Sequence, residues 1–220
     1  MKKQIFRKLR ISLALLLTFL IWTMAVCKVD VQAIGPEGSV VGFATVNGFF
    51  HGITGTNMLL YTITDWLGLV PVGICVIFGV FGFAQMIRRK SILKVDADIL
   101  ALGIFYIVVI AFYILFEVIA INYRPVLIDG FLEASYPSST TLLTLCVMPT
   151  AILQIRQRMK HSVWRNIICA VAWAFTFFMV IGRLVSGVHW LTDIIGSVLL
   201  CVGLVMLYMT VFYLPGNKDK

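Results

Sequence analysis

Long apolar runs, broken only by short polar connections, decide what this chain can fold into. Of its 220 residues, 60% are hydrophobic and 13% charged, and the mean hydropathy is +0.99. A soluble domain must cover much of its surface with polar groups, and this composition does not provide them. A bilayer-crossing helix takes about 20 apolar residues, so the chain has room for roughly six crossings with short loops. The expected fold is all-α: a polytopic membrane protein whose single domain, residues 1–220, is a six-transmembrane-helix bundle.

The runs place spans at 11–27, about 58–87, about 97–122, 138 to about 156, about 164–182 and about 190–214. The second is interrupted by Asp65, Gly68 and Pro71, and the third contains Glu117. Pro137 ahead of Ser138-Ser139-Thr140-Thr141 marks the start of the fourth helix. In the connection 28–57, the Gly35-Pro36 break and the set Phe43, Phe49, Phe50 and Ile53 predict a short helix lying in the interface. The basic start and first apolar run also suit a cleaved signal peptide, with Val31-Gln32-Ala33 a weak cleavage site.

The formal charge of +8 suggests nucleic acid until its placement is examined. With the N-terminus inside, residues 2–10, 88–94, 156–165 and 218–220 hold fifteen of the eighteen Lys and Arg. Lys28, Arg124 and Arg183 fall outside. That bias sets topology in membrane proteins, so both termini are expected to be cytoplasmic and no nucleic-acid partner is implied. The five cysteines lie in or beside apolar runs without paired or metal-type spacing, and read as small core residues.

Residues 182–193, Gly-Arg-Leu-Val-Ser-Gly-Val-His-Trp-Leu-Thr-Asp, place three chemistry-bearing side chains between two apolar runs. On a helix, His189 and Asp193 stand four residues apart and share a face. A carboxylate so placed can hold the imidazole Nδ1–H and leave Nε2 a free nucleophile. Arg183 offers a fork of donors suited to phosphate oxygens. A plainer reading is a loop Arg, an interfacial His and a helix-capping Asp. Arg124-Pro125 and Pro137-Ser138-Ser139-Thr140 can converge with this stretch at the outer leaflet, where the opening turn of the fourth helix is itself an anion site.

These residues resemble the type 2 phosphatidic acid phosphatase superfamily of membrane phosphatases. Its signature runs Lys, six residues, Arg-Pro; then Pro-Ser-Gly-His; then Ser-Arg, five residues, His, three residues, Asp. Arg124-Pro125, Pro137-Ser138 and the set Arg183, His189 and Asp193 match in order and spacing. The resemblance implies a phosphohistidine mechanism, with His189 the nucleophile and Asp193 its orienting partner. Arg124, Arg183 and Ser138 would hold phosphoryl oxygens, with Ser139 and Thr140 beside them on the same helix start. No metal or other cofactor is implied.

The chain departs from the pattern at three places. Glu117 stands where the first part has Lys, Ser139-Thr140 where the second has Gly-His, and Gly182 where the third has Ser. Glu117 can pair with Arg124, Arg183 or a neighbouring helix group. The general acid is lost at Thr140; His51, Tyr123, Tyr136 or a Thr140-bound water are candidate replacements, and a bystander role for His51 is open. A leaving phosphate needs less protonation than a leaving alkoxide, so the expected substrate is a lipid diphosphate, such as a polyprenyl diphosphate, at the outer face of the cell membrane. The alternative is a catalytically impaired member of that family that binds an anionic lipid or a partner protein.

Overall fold

The structure, a computed structural model, describes residues 2–212, apart from the side chains of Lys2, Gln4 and Val211. It contains eight α-helices: α1 Lys2–Lys28, α2 Ala44–Thr54, α3 Met58–Leu67, α4 Leu69–Arg89, α5 Ala97–Val118, α6 Ser139–Arg158, α7 Val163–Val185 and α8 Leu191–Phe212. Among the described residues there is no strand, only isolated bridges such as Tyr123 with Ala134. The C-terminal cations Lys218 and Lys220, and with them the expected inner C-terminus, lie outside the described residues.

Among the described residues, five stretches are long and apolar enough to cross a membrane: Ile5–Lys28, Met58–Arg89, Ala97–Val118, Val163–Val185 and Leu191–Thr210. The second comprises α3 and α4, separated at Gly68 inside the stretch where Asp65, Gly68 and Pro71 predict an interruption. Helix α6, the fourth of the six expected spans, is not among the five. It carries Thr140, Thr141, Thr144, Thr150 and Gln154, all buried, because it forms the middle of the bundle. Two of its threonine hydroxyls are satisfied along the helix itself, Thr144 donating to the Thr140 carbonyl and Thr150 to that of Cys146, each at 2.8 Å. Helix α5 ends at Val118 rather than near 122, which leaves Asn122 in the following connection.

Helix α1 runs antiparallel to α8. Ser12 Oγ donates to the Gly203 carbonyl at 2.8 Å, and Trp22 Nε1 to that of Thr192 at 3.2 Å. The approach is close because Gly203 has no side chain to meet Leu16. Phe19, Leu102, Phe105, Leu142, Val147 and Leu200 form part of the core between α1, α5, α6 and α8.

One end of the bundle gathers the described basic segments. Asp96 takes Arg89 at 2.8 Å and Arg158 at 3.4 Å, while Arg158 also pairs with Asp98. Gln154 donates to the Tyr208 hydroxyl at 2.9 Å, so the last turns of α6 and α8 lie at this end. The antiparallel packing of α1 on α8 puts residues 2–10 there too. Arg124, Arg183 and His189 lie at the opposite end.

Candidate active site

The connection between α5 and α6 folds back on itself. Asp129 and Gly130 both have positive φ, 49° and 84°, as a two-residue hairpin turn requires. Ile128 and Phe131 exchange backbone hydrogen bonds across it. Further along, Arg124 N–H donates to the Glu133 carbonyl at 3.0 Å and Ser135 N–H to that of Asn122 at 2.9 Å. This ladder fixes where Arg124 and the Ser135 carbonyl stand relative to α8.

Helix α7 ends at Val185, and Gly187, at φ 68°, turns the chain into α8. A Cβ at Gly187 would lie 1.7 Å from the Gly55 carbonyl oxygen, so only glycine fits. That turn buries Arg183 and His189 together. Nη2 of Arg183 lies 3.2 Å from Nε2 of His189. His189 Nδ1 lies 3.1 Å from the Ser135 carbonyl, which can only accept, so Nδ1 carries the proton and Nε2 the lone pair. Burial first, and then the charges of Arg124 and Arg183, hold the His189 pKa well below the ordinary histidine value.

The expected Asp193–imidazole bond is not the one that orients the ring. Asp193 Oδ2 is 3.8 Å from Nδ1, and accepts instead from the Trp190 N–H at 2.8 Å. Asp193 is the third residue of α8 and caps the helix start, while Asn122 donates to its other oxygen at 3.4 Å. The plainer reading of Asp193 as a capping residue is thus realised. Its charge still faces the ring, but the Ser135 carbonyl sets the tautomer.

Arg124 is buried beside Arg183, and Tyr61 of α3 faces both guanidiniums, its ring centre 5.7 Å from one and 4.8 Å from the other. Arg183 Nη1 lies 3.5 Å from Asp65, and Arg124 Nε 3.0 Å from Glu133. The second contact is close but not aligned as a hydrogen bond, so Nε and Nη1 of Arg124 are buried donors without an acceptor. Nε of Arg183 is a third. Buried donors left unpaired are costly, and the two on Arg124 border a single place.

That place is a pocket of about 530 Å³ lined by Tyr61, Asp65, Glu117, Arg124, Ser139 and Thr140, among others. A small adjoining cleft of about 10 Å³ is lined by Glu117, Ser135, Tyr136, Ser139 and His189. Ser139 and Thr140 bring the opening turn of α6 to the pocket wall, and no side chain caps that turn. Ser138, by contrast, is fully buried, accepts from Thr141 at 3.0 Å and lines neither space.

Glu117 lines both spaces but makes no ion pair among the described residues; the carboxylates that take the arginines are Glu133 and Asp65. His51 packs edge-on against Trp190 at 5.6 Å and lines neither space. Tyr136 gives its hydroxyl to a contact with Thr23 at 2.7 Å. Tyr61, Glu133, Ser135 and Asn122 were not singled out by sequence reasoning. The Asp129-Gly130 pair, a strong hairpin signal, would have folded Glu133 and Ser135 back beside Arg124, though in a register two residues from the one observed. Nothing in the sequence marks Tyr61.

Comparison with family models matches residues 104–216 to the PAP2 superfamily. Among solved structures, the fold is similar to that of a transmembrane PAP2-type phosphatidylglycerolphosphate phosphatase from Bacillus subtilis. The TM-score is 0.55 at 19% identity, covering 95% of this chain and 97% of that one. No curated protein matches by sequence. With more than half its length in that match and a transmembrane PAP2 fold around it, this chain belongs to the PAP2 superfamily.

Proposed function

We propose that the protein is an integral membrane phosphatase that hydrolyses a lipid phosphate or diphosphate at the outer membrane face. His189 Nε2 attacks phosphorus and forms a phosphohistidine; Arg124 and Arg183 take the phosphoryl oxygens with the backbone of Ser139 and Thr140. The observation that carries this reading is a deprotonated His189 Nε2 held against Arg183, beside a pocket lined by Arg124, whose buried Nε and Nη1 have no acceptor. Phosphoryl transfer asks mainly for positioning and charge stabilisation, and these groups offer both. Charge supports the outer location: the basic segments lie at the far end of the bundle, and basic segments tend to stay inside.

A polyprenyl diphosphate is the favoured substrate, because Thr140 occupies the position of the family's proton-donating histidine and a phosphate is a less basic leaving group than an alkoxide. Phosphate release by the purified protein, measured across a panel of lipid phosphates and diphosphates, tests this. The proposal expects release from polyprenyl diphosphate, faster than from phosphatidic acid, and its loss in His189→Ala. Binding of the same lipids without turnover would instead identify an impaired member that retains only the anion site.

A further inference from the structure

Resting on the phosphatase reading, we infer that Glu117 is the catalytic proton donor of this protein, serving where an alkoxide leaves or water attacks the phosphohistidine, whereas a leaving phosphate departs with little help from it. The geometry is what singles it out. Glu117 lines the cleft that contains His189 and Ser139, and also the larger pocket that contains Arg124 and Thr140. Glu117 therefore stands between the space that Arg124 lines and the one that His189 lines, where a phosphoryl group held by Arg124 and attacked by His189 has its carboxyl at hand.

The other titratable groups there are engaged except Tyr113, whose phenol lines both spaces but is a far weaker acid than a carboxyl. Asp65 pairs with Arg183, Glu133 with Arg124, and Tyr61 lies against both guanidiniums. Tyr136 is held by Thr23, and His51 sits behind Trp190. Ser139 and Thr140 carry aliphatic hydroxyls, which are poor acids. Facing Glu117 are Tyr113 on its own helix, Arg124 and Glu133 from the hairpin, Tyr61 and Asp65 from α3, and His189 from the turn before α8. Of the three carboxyls lining the larger pocket, Glu117 alone has no cation to neutralise it within ion-pair distance.

The steps balance. The Nε2 lone pair forms the N–P bond, the P–O bond to the leaving group breaks, and that oxygen takes the Glu117 proton. The carboxylate left behind takes a proton from the water that attacks the phosphohistidine. The N–P bond then breaks, its electron pair returns to Nε2, and inorganic phosphate leaves with Glu117 protonated again. The charge reversal at the first-part lysine is thus a relocation of the acid, not merely a loss of cation.

The test compares a polyprenyl diphosphate with the monophosphate of the same polyprenol, using full-length protein in detergent and following the first turnover and the phosphohistidine. In Glu117→Gln, first-turnover cleavage of the monophosphate, whose leaving group is an alkoxide, is expected to fall by about 100-fold or more. The diphosphate still loads His189 within about threefold of the wild-type rate, but hydrolysis of the phosphohistidine slows by at least about tenfold, so it accumulates. Glu117→Asp restores part of both steps. Unchanged rates on both substrates, or equal loss of phosphohistidine formation from both, overturn the assignment.

If Glu117→Gln does not fold, the wild-type pH profile decides. First-turnover cleavage of the monophosphate must fall on the alkaline side while that of the diphosphate stays flat, and parallel profiles overturn the assignment. Failure of the wild type to release phosphate from any lipid phosphate overturns the phosphatase reading, and Glu117 with it.

Discussion

Arg183 Nη2 gives a hydrogen bond to His189 Nε2 across 3.2 Å, so in the proposed mechanism the nucleophile's lone pair is held by a group that must also hold the phosphoryl. An incoming phosphate has to draw that N–H away from the ring before attack, which couples binding to release of the nucleophile. Arg183 is fully buried, and its planar fork allows one nitrogen to face Asp65 while another faces the ring. Lysine keeps the charge but has no fork. Arg183→Lys is therefore expected to lower phosphate release by about 10²-fold or more, and His189→Ala to abolish phosphoenzyme formation. Acid-quench trapping of labelled phosphohistidine in both variants checks this.

The pH dependence follows from the neutral ring. Attack requires unprotonated Nε2, and burial plus two guanidiniums push the His189 pKa well down. Lowering the pH through the ordinary histidine range therefore leaves the nucleophile intact, and the acid limb of kcat/KM lies below that range. Arg124→Gln removes one of the repelling charges and moves the limb back up. With His51, His161 and His189 the only histidines, ring titration by NMR can follow His189 directly in both proteins. A His189 that titrates like a model imidazole would falsify the argument.

Asp193 separates a structural from a chemical role. Its carboxylate caps the Trp190 N–H, whereas the ring proton goes to the Ser135 carbonyl. Asp193→Asn keeps an acceptor for that N–H and does not touch the tautomer. Phosphate release is expected to drop by less than about 10²-fold, while Asp193→Ala also loses the cap, at about 1 kcal/mol or more of stability. Thermal unfolding in detergent beside initial rates distinguishes the two. A loss in Asp193→Asn as large as in His189→Ala would return the tautomer role to the carboxylate.

What the sequence made legible was whatever repeats at short range or carries a spacing. Apolar runs place α5, α7 and α8 to within a few residues, because each is long and unbroken, and they place the end of α1, whose first turns are basic and extend the helix back to Lys2. Arg183, His189 and Asp193 sit within eleven residues, so their closeness is local. Helix α6 was legible as a helix but not as the buried centre, since its threonines and Gln154 are polar and only their partners reveal the burial. The contacts that finish the site are long-range. Arg183 meets Asp65 and Tyr61 across more than a hundred residues, and no local pattern records that α3 lies against α7.

Gly182 shows how such a packing contact can explain a departure from the family pattern. The usual serine there is absent, and a Cβ built on Gly182 would lie 2.8 Å from Thr64 Cγ2. Thr64 is fully buried, and its hydroxyl bonds the Leu60 and Tyr61 carbonyls of its own helix, so the methyl is pinned toward α7. Restoring the family residue by Gly182→Ser should therefore push α3 outward, lower the melting temperature and weaken phosphate release, because Tyr61 and Asp65 ride on α3. Thr64→Ala removes the obstructing methyl, so the double variant Gly182→Ser with Thr64→Ala should recover much of the loss. A double-mutant cycle on unfolding is expected to return a favourable coupling of at least about 0.5 kcal/mol, the size seen for residues in contact. Additive effects would mean that the two helices can part without strain, and that the glycine answers to something other than Thr64.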